Sequence, residues 1–248
     1  LEFRDSKIVA KKLNSLSQYK YKNLIKTYEF LKEKNSPTSE ISDLHYKGDF
    51  LIKSCSGREI YLNFTEGRYF NGSYTDLIKT AKSINLLNKI TRKISYSKIE
   101  KINILPKRSS VILEKFFYSL SKNTIKLNIK NINILKKNET LIFKIYDELK
   151  KNLKLIQKRP EGIFHIDLHP HNILINKSHS IIMDIESLKK TKYEIATGFG
   201  IFKLLRQTLT KTRSEKNFIH YSKKFIEEIH GKDFSKIDVK ILFQGAKF

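Results

Sequence analysis

Cysteine, methionine and tryptophan are almost missing from this sequence, which has one cysteine, one methionine and no tryptophan. Because Cys55 has no second cysteine to pair with, an internal disulfide framework is excluded, and a reducing, cytoplasmic location is expected. Long apolar runs are missing too, since none approaches the roughly 18 residues of a membrane-spanning helix. Residues 1–12 lack the apolar stretch and cleavage site of a signal peptide, and Leu1 in place of an initiator methionine leaves a truncated N-terminus as one interpretation.

Acidic residues are scarce relative to basic ones. Lysine and arginine number 49 against 25 aspartates and glutamates, which gives a net charge of +24 at pH 7. A surface with this charge attracts phosphates, nucleic acids or anionic lipid headgroups. The lysines are spread along the whole chain with many isoleucines and asparagines, so compositional drift is an equally good explanation. We expect no specific nucleic-acid binding, and peripheral contact with an anionic membrane surface is one expectation from the charge.

The first third of the chain reads as a small α+β unit. Residues 7–13 are an apolar, β-branched run that predicts a strand, and the apolar spacing over 21–35 predicts a helix. Two strand-like runs within 49–64 flank a Ser-Gly turn at 56–57, which indicates a hairpin. A second helix is predicted over 74–90, where an apolar face recurs at helical spacing.

The rest of the chain reads as mainly helical. Residues 91–140 are too apolar for a solvated linker but carry no pattern that assigns their secondary structure. Residues 139–162 predict a long helix closed by a proline and a glycine, and helices are also predicted over 200–211 and 221–231.

Polar residues concentrate in "IFHIDLHPHNILI" (163–175) and in "SHSIIMDIESL" (179–189). The apolar runs 173–175 and 181–183 bracket turn-forming residues, so they predict a β-hairpin. If Ile175 faces Ile181, the same register places Asn172 opposite Asp184, at a separation of ~5 Å. Two oxygen ligands at that spacing suit one Mg²⁺, which completes its shell with water and substrate phosphates.

Asp167 lies five residues before Asn172, on the loop that enters the predicted hairpin. A carboxylate there can accept a proton from a substrate hydroxyl while a metal holds a nucleoside triphosphate. This division of labour is the one that phosphoryl transfer needs.

The segment His165-Ile166-Asp167-Leu168-His169-Pro170-His171-Asn172, followed by Asp184, resembles the catalytic and metal-binding segments of the aminoglycoside phosphotransferase/choline kinase family. The family pattern is H-G/N-D-x-H-x-x-N with a metal-binding aspartate some residues later. The resemblance implies that Asp167 is the catalytic base and that Asn172 and Asp184 bind Mg²⁺. It also implies that His165 is a structural residue that braces the loop. His169 is expected to be a structural, hydrogen-bonded packing residue of the loop.

The resemblance extends upstream with less specific residues. "IVAKKL" is similar to the strand whose lysine contacts the nucleotide phosphates, which makes Lys11 the first choice and Lys12 the alternative. Glu29 occupies the place of the helix glutamate that pairs with this lysine. "YLNFTEGRYF" is similar to the hinge between lobes, so Asn63, Phe64 and Thr65 are expected to present backbone groups to an adenine.

Together these similarities imply an α+β, protein-kinase-like fold of two lobes: a small β-containing N-lobe over 1–66 and a mainly helical C-lobe over 67–248, with the catalytic loop at 163–186. They also imply an ATP- and Mg²⁺-dependent phosphotransferase acting on a small-molecule hydroxyl. The net charge favours a neutral or anionic acceptor, such as a sugar or an envelope glycan. A noncatalytic kinase-like binding or envelope module is the alternative.

The chain departs from the family pattern in two ways outside this segment. No glycine-rich loop precedes Lys11, and the helix after the metal-binding aspartate is expected to lack the family's acidic residue in a D-L-A-like context. A metal hydrolase barrel is a rival hypothesis, because His165, Asp167, His169 and His171 alternate as one strand face would. Such a barrel needs further ligands from later strands, and few strand patterns follow.

Overall fold

The computed structural model describes residues 2–3, 6–13, 16–43, 59–94, 99–102, 109–122 and 129–230. The first strand of the hairpin predicted within 49–64, its Ser-Gly turn and Cys55 therefore lie outside the described residues. Within the described ranges, no helix combines the length and the apolar character needed to cross a membrane.

The N-terminal part is an antiparallel sheet with one helix. It contains β1 (Glu2–Phe3), β2 (Ser6–Lys12), α1 (Gln18–Glu33) and β3 (Glu59–Asn63), with the strands in the order β1-β2-β3. α1 begins after Ser17, whose hydroxyl accepts a hydrogen bond from the Lys20 N–H and so satisfies one of the free donors at the helix start. The strand predicted over 7–13 and the helix predicted over 21–35 are confirmed with small shifts of their ends.

The C-terminal part is mainly helical. It comprises β4 (Arg68–Tyr69), α2 (Tyr74–Thr91), α3 (Ser109–Ser121), α4 (Ile129–Lys137), α5 (Glu139–Gln157), β5 (Glu161–His165), β6 (Ile173–Ile175), β7 (Ser180–Ile182), β8 (Leu188–Lys192), α6 (Tyr193–Thr212) and α7 (Glu215–His230). Short 3₁₀ turns at Pro170–Asn172 and Ile185–Ser187 flank the β6–β7 hairpin. The helices predicted over 74–90, 200–211 and 221–231 are confirmed as α2, α6 and α7.

Two small antiparallel sheets carry the polar cluster. β4 adds to the β6–β7 hairpin in the order β4-β6-β7, and β5 pairs with β8 so that His165 lies opposite Leu188.

The helix predicted over 139–162 is wrong at its C-terminal end, because α5 stops at Gln157 and residues from Glu161 onward form β5. Pro160 has no N–H to continue a helical ladder, which ends the helix before it reaches the predicted boundary.

α2 is the central helix of the core. Its N-terminus is capped by the Ser73 hydroxyl, which accepts a hydrogen bond from the Asp76 N–H. Leu77, Ile84 and Leu87 are almost completely buried on its inner face, each contributing roughly 1.5–3 kcal/mol by its removal from water. The helix packs against β5, the β6–β7 hairpin and α7.

An extended segment, residues 37–42, joins the two parts. The Ile182 N–H donates to the Pro37 carbonyl, and the Asn63 N–H donates to the Glu40 carbonyl, so the segment contacts both β7 and β3. Ile41 in its middle is fully buried. One continuous hydrophobic cluster runs through both parts, and the division at residue 66 stays a prediction.

Candidate active site

The β6–β7 hairpin has a different register from the predicted one. Leu174 pairs with Ile181, and Ile175 pairs with Ser180, so each partner lies one residue earlier than predicted. The carbonyl of Asn172 consequently accepts a hydrogen bond from the Met183 N–H (2.9 Å), and Asn172 does not lie opposite Asp184. The predicted pairing is therefore wrong by one residue.

The hairpin loop explains this register. The side-chain oxygen of Asn176 accepts hydrogen bonds from the N–H groups of Ser178 (3.0 Å) and His179 (2.8 Å), which closes a tight turn. Ser180 is thereby drawn into β7, where it is fully buried and its carbonyl accepts a hydrogen bond from the Ser83 hydroxyl. The turn was predicted to be one residue longer because serine is a common turn residue.

Asp184 follows β7 in a left-handed backbone conformation, with φ 62° and ψ 50°. Aspartate tolerates this conformation better than most residues, and such strain is concentrated at functional sites. Its carboxylate accepts a hydrogen bond from the Ser187 hydroxyl (2.5 Å). Despite the changed register, Asp184 and Asn172 line the same cleft.

Lys11 meets two carboxylates at the end of that cleft. Its ammonium group lies 2.6 Å from Oδ1 of Asp184 and also contacts Glu186. Burial alone lowers the pKa of Lys11, but the hydrogen bonds to the two carboxylates outweigh burial and raise it. Burial alone raises the pKa of Asp184, but the hydrogen bonds from Lys11 and Ser187 hold it below its usual value. The cluster therefore contains a cationic lysine and an ionised Asp184.

Glu29 is not the partner of Lys11, so that prediction is wrong. The inner face of α1 presents Tyr28, which is buried, and the neighbouring Glu29 points along a different direction of the helix. Burial raises the pKa of the Tyr28 hydroxyl, and the negative charge of Glu186 raises it further. Lys12 has an exposed side chain and does not line the cleft.

His165 braces the loop that carries Asp167. It is 2% exposed at the end of β5, and its Nε2 lies 2.9 Å from the Met183 carbonyl while its Nδ1 accepts a hydrogen bond from the Asp167 N–H (3.2 Å). A carbonyl only accepts, so the proton of the ring is on Nε2 and the imidazole is neutral. Burial lowers the pKa of His165, in agreement with this tautomer.

The Asp167 carboxylate lies among three polar side chains. The Asn172 side-chain amide donates to the Asp167 carbonyl (3.0 Å) and approaches Oδ2 (3.4 Å). His169 Nε2 lies 3.4 Å from Oδ2, and Lys203 Nζ lies 3.7 Å from Oδ1. His169 was predicted as a structural residue of the loop. Its Nδ1 accepts a hydrogen bond from the His171 N–H, so His169 both stabilises the loop and contacts the Asp167 carboxylate.

The cleft beside Lys11 and Asp184 has a volume of about 490 Å³ and a mainly apolar lining. Its walls include Val9, Ala10, Leu62, Phe64, Tyr69, Leu174 and Met183. At the predicted hinge, the N–H groups of Asn63 and Phe64 already donate to the carbonyls of Glu40 and Lys7. Among the described residues of the predicted hinge, the Thr65 N–H has no protein acceptor.

Three charged residues of this region were not predicted from the sequence. Glu186 and Lys203 contact the site as described above, and the only sequence signal for Glu186 was its position two residues after Asp184. Glu194 corrects the expectation that the following helix lacks an acidic residue. α6 begins at Tyr193, so Glu194-Ile195-Ala196 stands in its first turn, and Nε of Arg159 donates to the buried Glu194 carboxylate (2.6 Å). The acidic residue was missed because the helix was predicted to begin at residue 200, whereas α6 begins at Tyr193.

The described architecture excludes the rival barrel. The strands form small antiparallel sheets, the chain leaves strand geometry after His165, and a 3₁₀ turn begins at Pro170, so the histidines do not share one strand face. Within the described ranges, no group of three or more His, Cys, Asp or Glu side chains is arranged to hold a metal ion.

No protein-family model and no curated protein matches the sequence. Solved structures do match. The Plasmodium vivax ethanolamine kinase is 15% identical with a TM-score of 0.56, and the match covers 98% of this chain and 65% of that one. The amicoumacin kinase hAmiN, solved with AMP-PNP, Ca²⁺ and Ami, is 12% identical with a TM-score of 0.63, over 97% of this chain and 71% of that one.

The aminoglycoside phosphotransferase APH(3'')-Id from Streptomyces rimosus, solved with ADP and streptomycin, is 10% identical with a TM-score of 0.55. This match covers 98% of this chain and 86% of that one. The chain spans less than two thirds of the length of the ethanolamine kinase. The protein has the fold that these kinases share, and the resemblance seen in the sequence is confirmed at the level of the fold.

Proposed function

We propose that the protein transfers the γ-phosphoryl group of ATP to a hydroxyl of a small molecule. The observation that carries this proposal is the convergence of Lys11, Asp184 and Asn172 at one end of an apolar cleft, with Asp167 in contact with Asn172. These residues come from strands and loops far apart in the sequence. A chance cluster of surface charges would not be expected to bring these four residues together and also to hold Asp184 in a left-handed backbone conformation.

The cleft suits a nucleotide. Its apolar walls, including Val9 and Leu62 from the N-terminal sheet and Leu174 and Met183 from the hairpin, match the flat faces of an adenine ring. The Thr65 N–H can donate to a ring nitrogen, while the Lys11 ammonium at the far end can bind phosphate oxygens. The neighbours solved with AMP-PNP or ADP support this placement, since they share the fold.

The residues also fit a Mg²⁺ ion. Because the Asn172 amide nitrogen donates to Asp167, its amide oxygen is directed away from that bond and can ligate a cation. The Asp184 carboxylate supplies a second, ionised oxygen ligand. Few protein ligands and several water or phosphate ligands are usual for Mg²⁺, which would neutralise phosphate charge when bound.

The chemical step follows from the position of Asp167. The carboxylate accepts the proton of the acceptor hydroxyl while the hydroxyl oxygen forms a bond to the γ-phosphorus of ATP. The bond between that phosphorus and the β–γ bridging oxygen breaks, ADP leaves with the electron pair, and the product is a phosphate ester. His165 keeps the base in place, because it binds both the Asp167 N–H and the Met183 carbonyl. An acceptor that is neutral or anionic agrees with the net charge of +24.

Asp167→Asn tests the proposed base. The variant should bind Mg²⁺–ATP within about two-fold of wild type and lose phosphoryl transfer by roughly 10²–10⁴-fold, since a general base acts in the transition state. Transfer is measured as ADP formation with a panel of hydroxyl compounds, and binding by calorimetry. Asp147→Asn, at an exposed position of α5, is the matched control and should behave as wild type. Normal transfer by Asp167→Asn would refute the mechanism.

The metal assignment has its own test. The thermal shift caused by ATP should require Mg²⁺ in the wild type and become small in Asp184→Ala. Equal shifts with and without Mg²⁺, in both proteins, would refute the assignment. Mg²⁺-dependent ATP binding without transfer to any hydroxyl compound would favour the noncatalytic alternative.

A further inference from the structure

α6 passes close to the catalytic loop because it has a glycine at the contact. A Cβ on Gly200 would lie 2.8 Å from the Cβ of Leu168, closer than real side chains approach. The absent side chain thus lets the helix backbone rest on the residue that follows Asp167. Lys203 stands one turn further along α6, on the same side as Gly200, and its ammonium group reaches the Asp167 carboxylate.

The Lys203 ammonium group has unused hydrogen-bonding capacity. It lies 3.7 Å from Oδ1 of Asp167, beyond hydrogen-bond distance, and 4.2 Å from the centroid of the Phe199 ring. Within the described part of the chain it donates to no protein acceptor. The side chain is 34% exposed, so an ammonium with three donors faces a ligand-accessible space beside the base.

Lys203 lies on the acceptor side of the site. It does not line the nucleotide cleft, whose phosphate end is occupied by Lys11, but it contacts the base that faces the acceptor hydroxyl. The exposed Arg206 follows one turn later on the same helix and adds positive charge. A lysine placed here therefore serves a group other than the nucleotide.

The other carboxylates described near the site contact other cations. Asp184 and Glu186 share the single positive charge of Lys11, and Glu194 of α6 is paired with Arg159. Among the described residues, the carboxylate that Lys203 approaches is that of Asp167, and at 3.7 Å no hydrogen bond holds the ammonium group there. A cationic acceptor would meet an unfavourable potential at this place.

We propose that Lys203 binds an anionic group of the acceptor, so that the substrate is a hydroxyl compound carrying a phosphate ester or a carboxylate. This inference rests on the proposed phosphotransferase function and narrows its substrate class. Binding of the anion draws the ammonium group away from Asp167, whose carboxylate then accepts the proton of the acceptor hydroxyl. Lys203 acts as a specificity-determining residue, and Gly200 provides the close approach that positions it.

The test is a transfer assay with [γ-³²P]ATP and hexoses that differ only in charge. The panel is glucose, glucosamine, glucose 6-phosphate and glucuronate, assayed with wild type, Lys203→Gln, Lys203→Arg and Lys211→Gln. Lys211 is exposed on the same helix and loses the same charge, so it is the matched control. We expect transfer to an anionic member to exceed transfer to glucosamine. For that anionic acceptor, KM should rise roughly ten- to hundred-fold in Lys203→Gln, recover in Lys203→Arg and stay unchanged in Lys211→Gln.

A second measurement keeps the proposal testable if no hexose is phosphorylated. Sulfate is titrated into the Mg²⁺–AMP-PNP complex, in which the nucleotide site is full, and its affinity is compared between wild type and Lys203→Gln. We expect weaker sulfate binding in the variant, and the same titration with inorganic phosphate and with acetate distinguishes the two kinds of anion. Preference for glucosamine, or equal behaviour of wild type and Lys203→Gln in both measurements, would overturn the proposal. If the wild type does not bind ATP in a Mg²⁺-dependent manner, the phosphotransferase function itself is contradicted.

Discussion

The ammonium group of Lys11 lies 2.6 Å from Oδ1 of Asp184, although 173 residues separate the two in the chain. The contact joins β2 of the N-terminal sheet to the end of the β6–β7 hairpin. Glu186 contacts the same ammonium group, so the lysine stands between two carboxylates that would otherwise repel each other. The position of Lys11 at the end of the cleft is thus maintained by charges from the other half of the protein.

Lys11→Met should weaken ATP binding by roughly ten- to hundred-fold, because it removes a charged hydrogen-bond donor to the phosphates. It should also lower stability, since Asp184 and Glu186 lose the cation between them. Lys12→Met is the matched control, with an exposed side chain on the next residue, and should stay within about two-fold of wild type. Calorimetric titration with ATP measures both. The opposite ranking of the two variants would assign the phosphate contact to Lys12.

His165 should make the stability of the protein depend on pH below neutrality. Its folded pKa is lowered from 6.5 by burial, so the unfolded chain binds a proton at a pH at which the folded protein does not. The contribution of His165 to the free energy of unfolding is therefore fully present above a pH of about 6.5. Below that pH it decreases by up to about 1.4 kcal/mol per pH unit. Urea unfolding at pH 7.5 and 5.5 should show a smaller loss in His165→Met than in wild type. Equal losses would mean that His165 titrates normally.

Asp76→Asn should destabilise the start of α2. The Asp76 carboxylate accepts two hydrogen bonds from Arg68 (2.6 and 2.8 Å) and one from the Asn71 N–H (3.2 Å) while it is 2% exposed. We expect a loss of about 1–3 kcal/mol in the free energy of unfolding at pH 7, since the buried, charged acceptor of these three hydrogen bonds becomes a neutral amide with one acceptor oxygen. Asp147→Asn serves as the control on an exposed helix surface.

The effect of Asp76→Asn should depend on pH. Burial alone raises the pKa of Asp76, but the contacts with Arg68 and the Asn71 N–H hold it below the usual value. A lowered folded pKa gives stabilisation that is present above the unfolded value of about 3.9 and is lost as the pH falls through the folded one. The difference between wild type and Asp76→Asn in chemical unfolding should shrink in that acidic range. A difference that stays constant would show that the charge of Asp76 is unimportant.

Gly200→Ala should disturb the catalytic loop. The added methyl group would lie 2.8 Å from the Cβ of Leu168, and such overpacking costs about 1–3 kcal/mol, partly offset by the better helix propensity of alanine. Transfer activity should fall with stability, because Leu168 follows Asp167 directly. In a Leu168→Gly background, which lacks the Cβ that the new methyl group meets, the same change should cost much less in thermal unfolding. A similar cost in both backgrounds would place the strain elsewhere.

Local sequence pattern accounts for much of the architecture. The helices α1 and α2 and the strands of the hairpin were predictable, because apolar periodicity and capping residues act over a few neighbours. The spacing from His165 to Asn172 likewise indicated the loop, since its residues are consecutive in the chain, and the chemical roles of these residues stay predictions. The assignment of 91–140 was not predictable, because its isoleucines and lysines follow neither period clearly; its described residues are mostly helical.

Contacts between distant segments were decided by the tertiary structure. The hairpin register depends on the Asn176 turn and on the burial of Ser180 against Ser83, which no local period encodes. Tyr28 rather than Glu29 faces the site because packing chooses which face of α1 is buried.

Lys203 reaches Asp167 only because Gly200 brings α6 against the loop. The sequence by itself determined which residues can act as base, ligand and cation, since these roles follow from side-chain chemistry. Their partners were decided in three dimensions, because the energies of ion pairs and buried hydrogen bonds depend on distances of a few ångströms between segments that only folding brings together.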